Sequence, residues 1–189
     1  HKEKSLLVPA AHFASAGSDT QFEVQKSDNP LYKSPVISKE TPIHKVPIKV
    51  EVKGAKKLYL VVSNGGLNNR FDHAAWIRPR LTGPKGTLDL TELPWNIAKS
   101  GSFKVLKNKG YHGGPLLVQG VDLKIGIAAH ATSIIAWDIP EGYDTFEATG
   151  VLLDSGALQK NAVPSIQFEV YTSMPKKKLQ KLLIRRHLY

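Results

Sequence analysis

The chain has 189 residues, a formal net charge of +10 and no cysteine. A domain of that length hides roughly 70% of its unfolded surface and can bury a core unaided, while the lack of cysteine excludes disulfide staples and thiolate metal sites. No apolar run approaches the ~20 residues that a membrane-spanning helix needs.

With no starting Met and no signal-peptide pattern, the chain reads as a piece of a longer protein. Residues 1–14 read as an N-terminal extension. Strand period then takes over. "TQFEVQ" (20–25) alternates, and "VPIKVEV" puts Val46, Ile48, Val50 and Val52 on one face, as a half-buried strand requires. "KLYLVV" adds an apolar run that ends in the turn signal "SNGG". Past "TGPKG" and the glycine-rich "NKGYHGG" come two further runs, "SIIAWDI" and "TFEATGVL", with the turn signal "PEGYD" between them. "DSGA" reads as the next turn, and "SIQFEVY" as the last strand. Many short strands with Gly- and Pro-bearing connections predict an all-β sandwich or barrel. Gln-Phe-Glu-Val occurs at 21–24 and again at 167–170, by chance or as a repeated sandwich strand.

After Pro175 the pattern changes to a short basic helix, with Leu179, Leu182 and Leu183 on one face opposite lysines. "KKKLQKLLIRR" carries six basic residues and no acid. Removing it leaves 10 − 6 = +4, so the basic character belongs mainly to this tail, 176–189. It reads as a solvated, mobile end, with nucleic acid or another anionic partner as the minor alternative.

The stretch "NNRFDHAAW" (68–76) places an acid, an imidazole and an indole within five residues. Sugar recognition needs planar hydrogen-bonding groups for hydroxyls and an aromatic face for the C–H side of the ring. Asp72, His73 and Trp76 supply both kinds, and Asn68, Asn69 and Arg70 add donors and acceptors. The competing reading is structural: Trp76 plugs the core while Asp72 caps a turn and holds His73. Hydrolysis has little support. Neighbours on an extended chain point to opposite faces, and neither a nucleophile elbow nor a His-Glu-x-x-His helix is present. His130, in "GIAAHATS", stands either at a strand end facing a binding surface or buried against a carbonyl or Asp72. Tyr111 and His112 either flank a ligand or decorate a turn. Trp95 and Trp137 read as packing residues.

The segment "VDLKIGIAAHATSIIAWDIPEGYDTFEATGVLLDSG" resembles the central signature of the NPCBM family of carbohydrate-binding modules. Gly126, His130, Ala131, Trp137, Tyr143, Phe146 and Ala148 take the signature places. "VEVKGAKKLYLVVSNGGLNNRFDHAAWIRPRL" resembles the family's closing segment, whose hallmark is Asp-His-Ala-x-Trp. The order is reversed. Residues 15–82 resemble a second half and 83–175 a first half, so the chain is either one circularly permuted sandwich over 15–175 or halves of two tandem modules. Surface termini make permutation physically permissible, and unpaired half-sheets would expose apolar edges.

The resemblance implies a jelly-roll-like β-sandwich that binds carbohydrate without catalysis. It implies galactose-containing or related glycans and a covalently linked catalytic domain in a secreted or periplasmic bacterial glycan-processing protein. Nucleic acid is not expected as a partner. The implied binding residues are Asp72, His73, Trp76, His130, Asn69 and Arg70. The resemblance allows a structural calcium ion, but calcium takes six to eight oxygen ligands, and Leu152-Leu153-Asp154 has lost one acid of the family's Leu-Asp-Asp. Ala128 and Ala129 replace the usual Gly and Thr. A sandwich that keeps the scaffold for structure or protein interaction and has lost the sugar is the rival expectation.

Overall fold

The computed structural model describes residues 28–66 and 68–185. The N-terminal extension and the strand expected over 20–25, with the first Gln-Phe-Glu-Val, lie outside them. The described strands are, in chain order, β1 (Tyr32–Lys33), β2 (Ile37–Ser38), β3 (Lys45–Glu51), β4 (Lys57–Asn64), β5 (His73–Gly83) and β6 (Gly86–Asp89). There follow β7 (Ile97–Lys99), β8 (Leu106–Lys107), a 3-10 turn at Tyr111–Gly113, β9 (Leu117–Val118) and β10 (Val121–Asp122). The last are β11 (Gly126–His130), β12 (Ser133–Asp138), β13 (Thr145–Leu152) and β14 (Ser165–Tyr171), with helices α1 (Asp154–Ala157) and α2 (Lys176–Arg185). The expected turn "DSGA" is thus one helical turn.

Among the described residues two six-stranded antiparallel sheets result, beside a two-stranded β9–β10 ladder. The first, sheet A, runs β1-β14-β4-β12-β7 with β2 also on β14; the second, sheet B, runs β3-β13-β5-β11-β8 with β6 on β5. The expectation of an all-β sandwich holds. Strands from residues 32–83 and 86–171 interleave within both sheets, β4 lying between β12 and β14, and β5 between β11 and β13.

Alternation explains the layering. On β3 and β4, Ile48, Val50, Leu58, Leu60 and Val62 face inward, and they meet Trp76, Phe146, Phe168 and Trp137 in the main core. The Trp76 indole meets the Phe168 ring edge-on at 4.8 Å and the Phe146 ring at 6.0 Å, contacts each worth about 0.5–1.5 kcal/mol beyond area burial. A Cβ on Gly150 would stand 2.6 Å from the Phe168 ring, so only glycine lets β13 pass that ring.

Sheet A is apolar on its outer face as well. Tyr59, Val61, Ile134, Ala136 and Tyr171 form a second layer there, closed by Leu182 with Leu179 and Met174. Burial on both faces is why β4 reads as a continuous apolar run. Beneath α2, buried Glu169 accepts hydrogen bonds from Tyr171 Oη, from Ser63 Oγ at 2.7 Å and from Lys178 Nζ at 3.1 Å. Burial alone would raise the Glu169 pKa; these bonds and the Lys178 charge outweigh it and hold the carboxyl below its usual range. The reading of this tail as a solvated, mobile end is corrected in one respect over 176–183: one side of α2 is docked, while Lys176, Lys177, Gln180 and Lys181 stay exposed. Leu182 is buried and Lys178 is paired, although Leu183 remains 43% exposed.

At one margin of sheet B, β3 pairs among the described residues only with β13, and Pro47 stands opposite Thr149 between Lys45 and Lys49. Proline is tolerated in such edge strands because it has no N–H to give to a ladder. Replacing Leu182 by Ala should cost about 2 kcal/mol, as for other buried leucines. A shifted midpoint in urea denaturation checks the docking of α2, since a mobile tail would leave that midpoint unchanged.

Candidate functional site

The site forms where β5 begins and β11 ends. Their register runs from Gly126 opposite Ile77 to His130 opposite His73, so the two histidine-bearing segments meet as direct cross-strand partners. The imidazole centroids are 5.5 Å apart. Phe71 turns the chain into β5 with φ 63°, a left-handed conformation costly for a bulky residue. The Phe71 carbonyl accepts the His73 N–H at 2.7 Å across this corner.

A depression of about 240 Å³ lies over the two imidazoles, lined by Asn69, Arg70, Phe71, His73, Ser102, Tyr111 and His130. His73 and His130 are each 4% exposed and make its floor. The Tyr111 ring stacks on His73 at 4.1 Å with planes 32° apart. Phe103 meets His73 edge-on at 5.5 Å, Tyr111 at 4.8 Å and His130 at 5.8 Å. Beside it, sharing Ser102, opens a hollow of about 600 Å³ that includes Trp95, Ser100 and Phe103. Trp95 is half-buried, with Lys107 Nζ 4.6 Å from its ring centroid.

Each floor imidazole is fixed by a named bond. His73 Nδ1 is 2.9 Å from Ser155 Oγ of α1. His130 Nδ1 lies 2.6 Å from the Ala131 carbonyl, which can only accept, so this nitrogen carries the proton. The Ser100 hydroxyl accepts the His130 backbone N–H at 2.7 Å. Burial lowers the His73 pKa to about 4, with the charges of His130 and His112 acting in the same direction. A neutral imidazole therefore floors the depression at neutral pH.

Of the six residues singled out from the sequence, Asn69, Arg70, His73 and His130 come together here. Asp72 and Trp76 do not. Trp76 has no exposed surface, so the stacking role expected of it is corrected: its side chain points the other way along β5, into the core. Asp72 is also fully buried and faces the start of β14, where its Oδ1 accepts the Ser165 N–H at 2.9 Å. Its carbonyl accepts the Ala131 N–H at 3.1 Å, so one residue ties the entry to β5, the start of β14 and the β11–β12 connection into the corner. It does not hold His73; Ser155 does. Trp137 is core, as its sequence context implies. Tyr111 and Phe103 supply the aromatic walls. Tyr111 was legible as a flanking candidate, whereas nothing local to "GSFKV" marks Phe103.

The one acid that survives from Leu-Asp-Asp is structural too. The two Asp154 oxygens accept the Gln119 and Gly120 N–H groups at 2.7 and 2.9 Å, closing the β9–β10 turn. Among the described residues no group of three or more His, Asp and Glu side chains converges to hold a metal ion.

Two tests follow from this corner. A Cβ on Gly156 would stand 2.1 Å from the Phe71 carbonyl oxygen, so Gly156→Ala should destabilise the fold by about 1–3 kcal/mol in chemical denaturation. The second uses opposed titrations. Burial pushes Asp72 up to about 7, only partly offset by the Ser165 N–H. The folded chain thus keeps a proton that the unfolded chain has released, and this group's contribution falls as pH rises from about 4 to about 7. His73 does the reverse: between about 4 and 6.5 the unfolded imidazole binds a proton that the folded one refuses. Asp72→Asn keeps an oxygen for Ser165 and removes one arm. Its urea midpoint should climb from pH 4 to 6.5 more steeply than that of the parent chain, and parallel profiles would contradict this.

No curated protein and no solved structure matches the chain. The family model of the NPCBM/NEW2 domain matches residues 10–82 and 86–186, which hold β1 to β5, except the last residue of β5, and β6 to β14. The chain thus belongs to the NPCBM/NEW2 domain family, a family of carbohydrate-binding modules.

Proposed function

We propose that the chain binds carbohydrate without catalysis, seating a sugar residue in the depression over His73 and His130. The observation that carries this reading is the pairing of half-exposed aromatic rings with polar groups around a concave floor. Tyr111 and Phe103 offer faces or edges to the C–H side of a pyranose. The neutral His73 imidazole, the His130 ring, Ser102 and the Asn69 amide offer donors and acceptors to its hydroxyls, and Arg70 adds a donor fork. At about 240 Å³ the depression is smaller than the roughly 300–1,000 Å³ of pockets that enclose drug-sized ligands, which suits one sugar residue or a glycan end. Galactose-containing glycans are the ligand class that the family resemblance favours.

A shallow site with one or two stacked rings binds weakly. Attachment to a catalytic domain in a secreted or periplasmic bacterial protein would raise its effective concentration at the glycan surface. The alternation of strands from both signature halves within each sheet supports reading the chain as one module whose halves are in permuted order.

A glycan array with the folded chain, followed by calorimetry on the strongest ligand, tests the site. Tyr111→Ala and the double variant His73→Ala/His130→Ala should each weaken binding by about tenfold or more, the scale of a lost stacking or hydrogen-bonding group in a buried site. Full binding by the folded double variant would remove both histidines from the site. Silence of the folded parent chain across galactose-, fucose- and uronate-containing glycans would favour the protein-interaction reading.

A further inference from the structure

Midway along β5 the ladder breaks. Arg80 pairs with Glu147 and Ile77 with Thr149, so Arg78 and Pro79 stand opposite Ala148 alone. Such bulges re-aim side chains. Arg78 has φ 47° and, among the described residues, is the only non-glycine residue inside a strand with positive φ. The left-handed region disfavours a long side chain, and the position before proline is restricted further. The backbone need there, an N–H given to the Ile125 carbonyl at 3.1 Å, would be met by glycine at lower cost. What arginine adds at this position is the guanidinium.

That side chain opens on a hollow of about 340 Å³ on the outer face of sheet B, lined also by Lys49, Arg80, Glu147 and Thr149. Glu147 is its single carboxylate, and it is already engaged: Arg80 donates to it at 2.8 and 3.0 Å, and Lys49 lies at 3.4 Å. Among the described residues the Arg78 guanidinium has neither an ion pair nor a hydrogen bond. Three cations share one acid, and the missing counter-charge has a planar, bidentate acceptor geometry.

We propose that this hollow is a second binding site that takes the carboxylate or sulfate group of an acidic glycan through Arg78. It is separate from the depression over His73 and does not depend on it. The cations are exposed, so binding here is weakened by salt.

Calorimetric titration of the whole chain with trigalacturonate, a sulfated galactan trisaccharide and neutral galactotriose tests the site at low and high salt. At least one acidic ligand should bind more tightly than the neutral one, and the arm that responds identifies the group. Arg78→Gly, which suits φ 47° and so stays folded, should weaken that binding by about tenfold. Glu147→Gln should tighten it several-fold by releasing Arg80 and Lys49, and Arg78→Gly should weaken it by the same factor in a Tyr111→Ala background as in the parent chain. Equal affinity of Arg78→Gly and the parent chain for the acidic ligands would overturn the proposal. So would no preference for them over galactotriose, or Arg78-dependent capture of duplex DNA without capture of either acidic sugar.

Discussion

Five consecutive pairs, from Gly126 with Ile77 to His130 with His73, lock β11 onto β5. A slip of one residue would turn every side chain of β5 to the opposite face. Trp76 would leave the Phe168 and Phe146 rings, and His73 would leave the floor of the depression. The same register that fills the core therefore assembles the candidate site. Trp76 anchors it from inside, because an indole with no exposed surface cannot move outward without opening a large cavity.

The corner ahead of β5 shows how structural and binding roles divide between neighbours. Asp72 faces inward and spends its side chain and carbonyl on joining β14 and the β11–β12 connection. Its second oxygen, Oδ2, is buried without a partner among the described residues, and such a carboxyl is more comfortable protonated than charged. His73 faces outward, steadied by Ser155. A polar strip one residue wide thus separates core from site. The stacked Tyr111 ring shields it from water on the other side.

Period-two alternation made β3 and the last strand legible, because each keeps one face drier than the other, while β4, β12 and β13 showed as runs rich in β-branched and aromatic residues. The four site residues that converge were legible as well, through the two histidine-bearing segments. Trp76 was ambiguous for a physical reason: an aromatic one turn from a polar cluster looks the same whether it faces a sugar or plugs the core. Phe103 was hidden, since a loop residue acquires a role only from the strands that its loop crosses. For α2, the leucine spacing gave the helix but not its seat. The unbroken apolar run of "KLYLVV" was the available sign that sheet A had a second face to cover.

The margin formed by β3 bears on how these molecules behave when crowded. Pro47 cannot donate to an incoming strand, and the ammonium groups of Lys45 and Lys49 flank it. A neighbour approaching edge-on meets a gap in the amide row and like charge on its own matching border. Ladder growth from one molecule into the next stops there. Fibrous stacking of densely gathered copies along this border is thereby disfavoured from the outset.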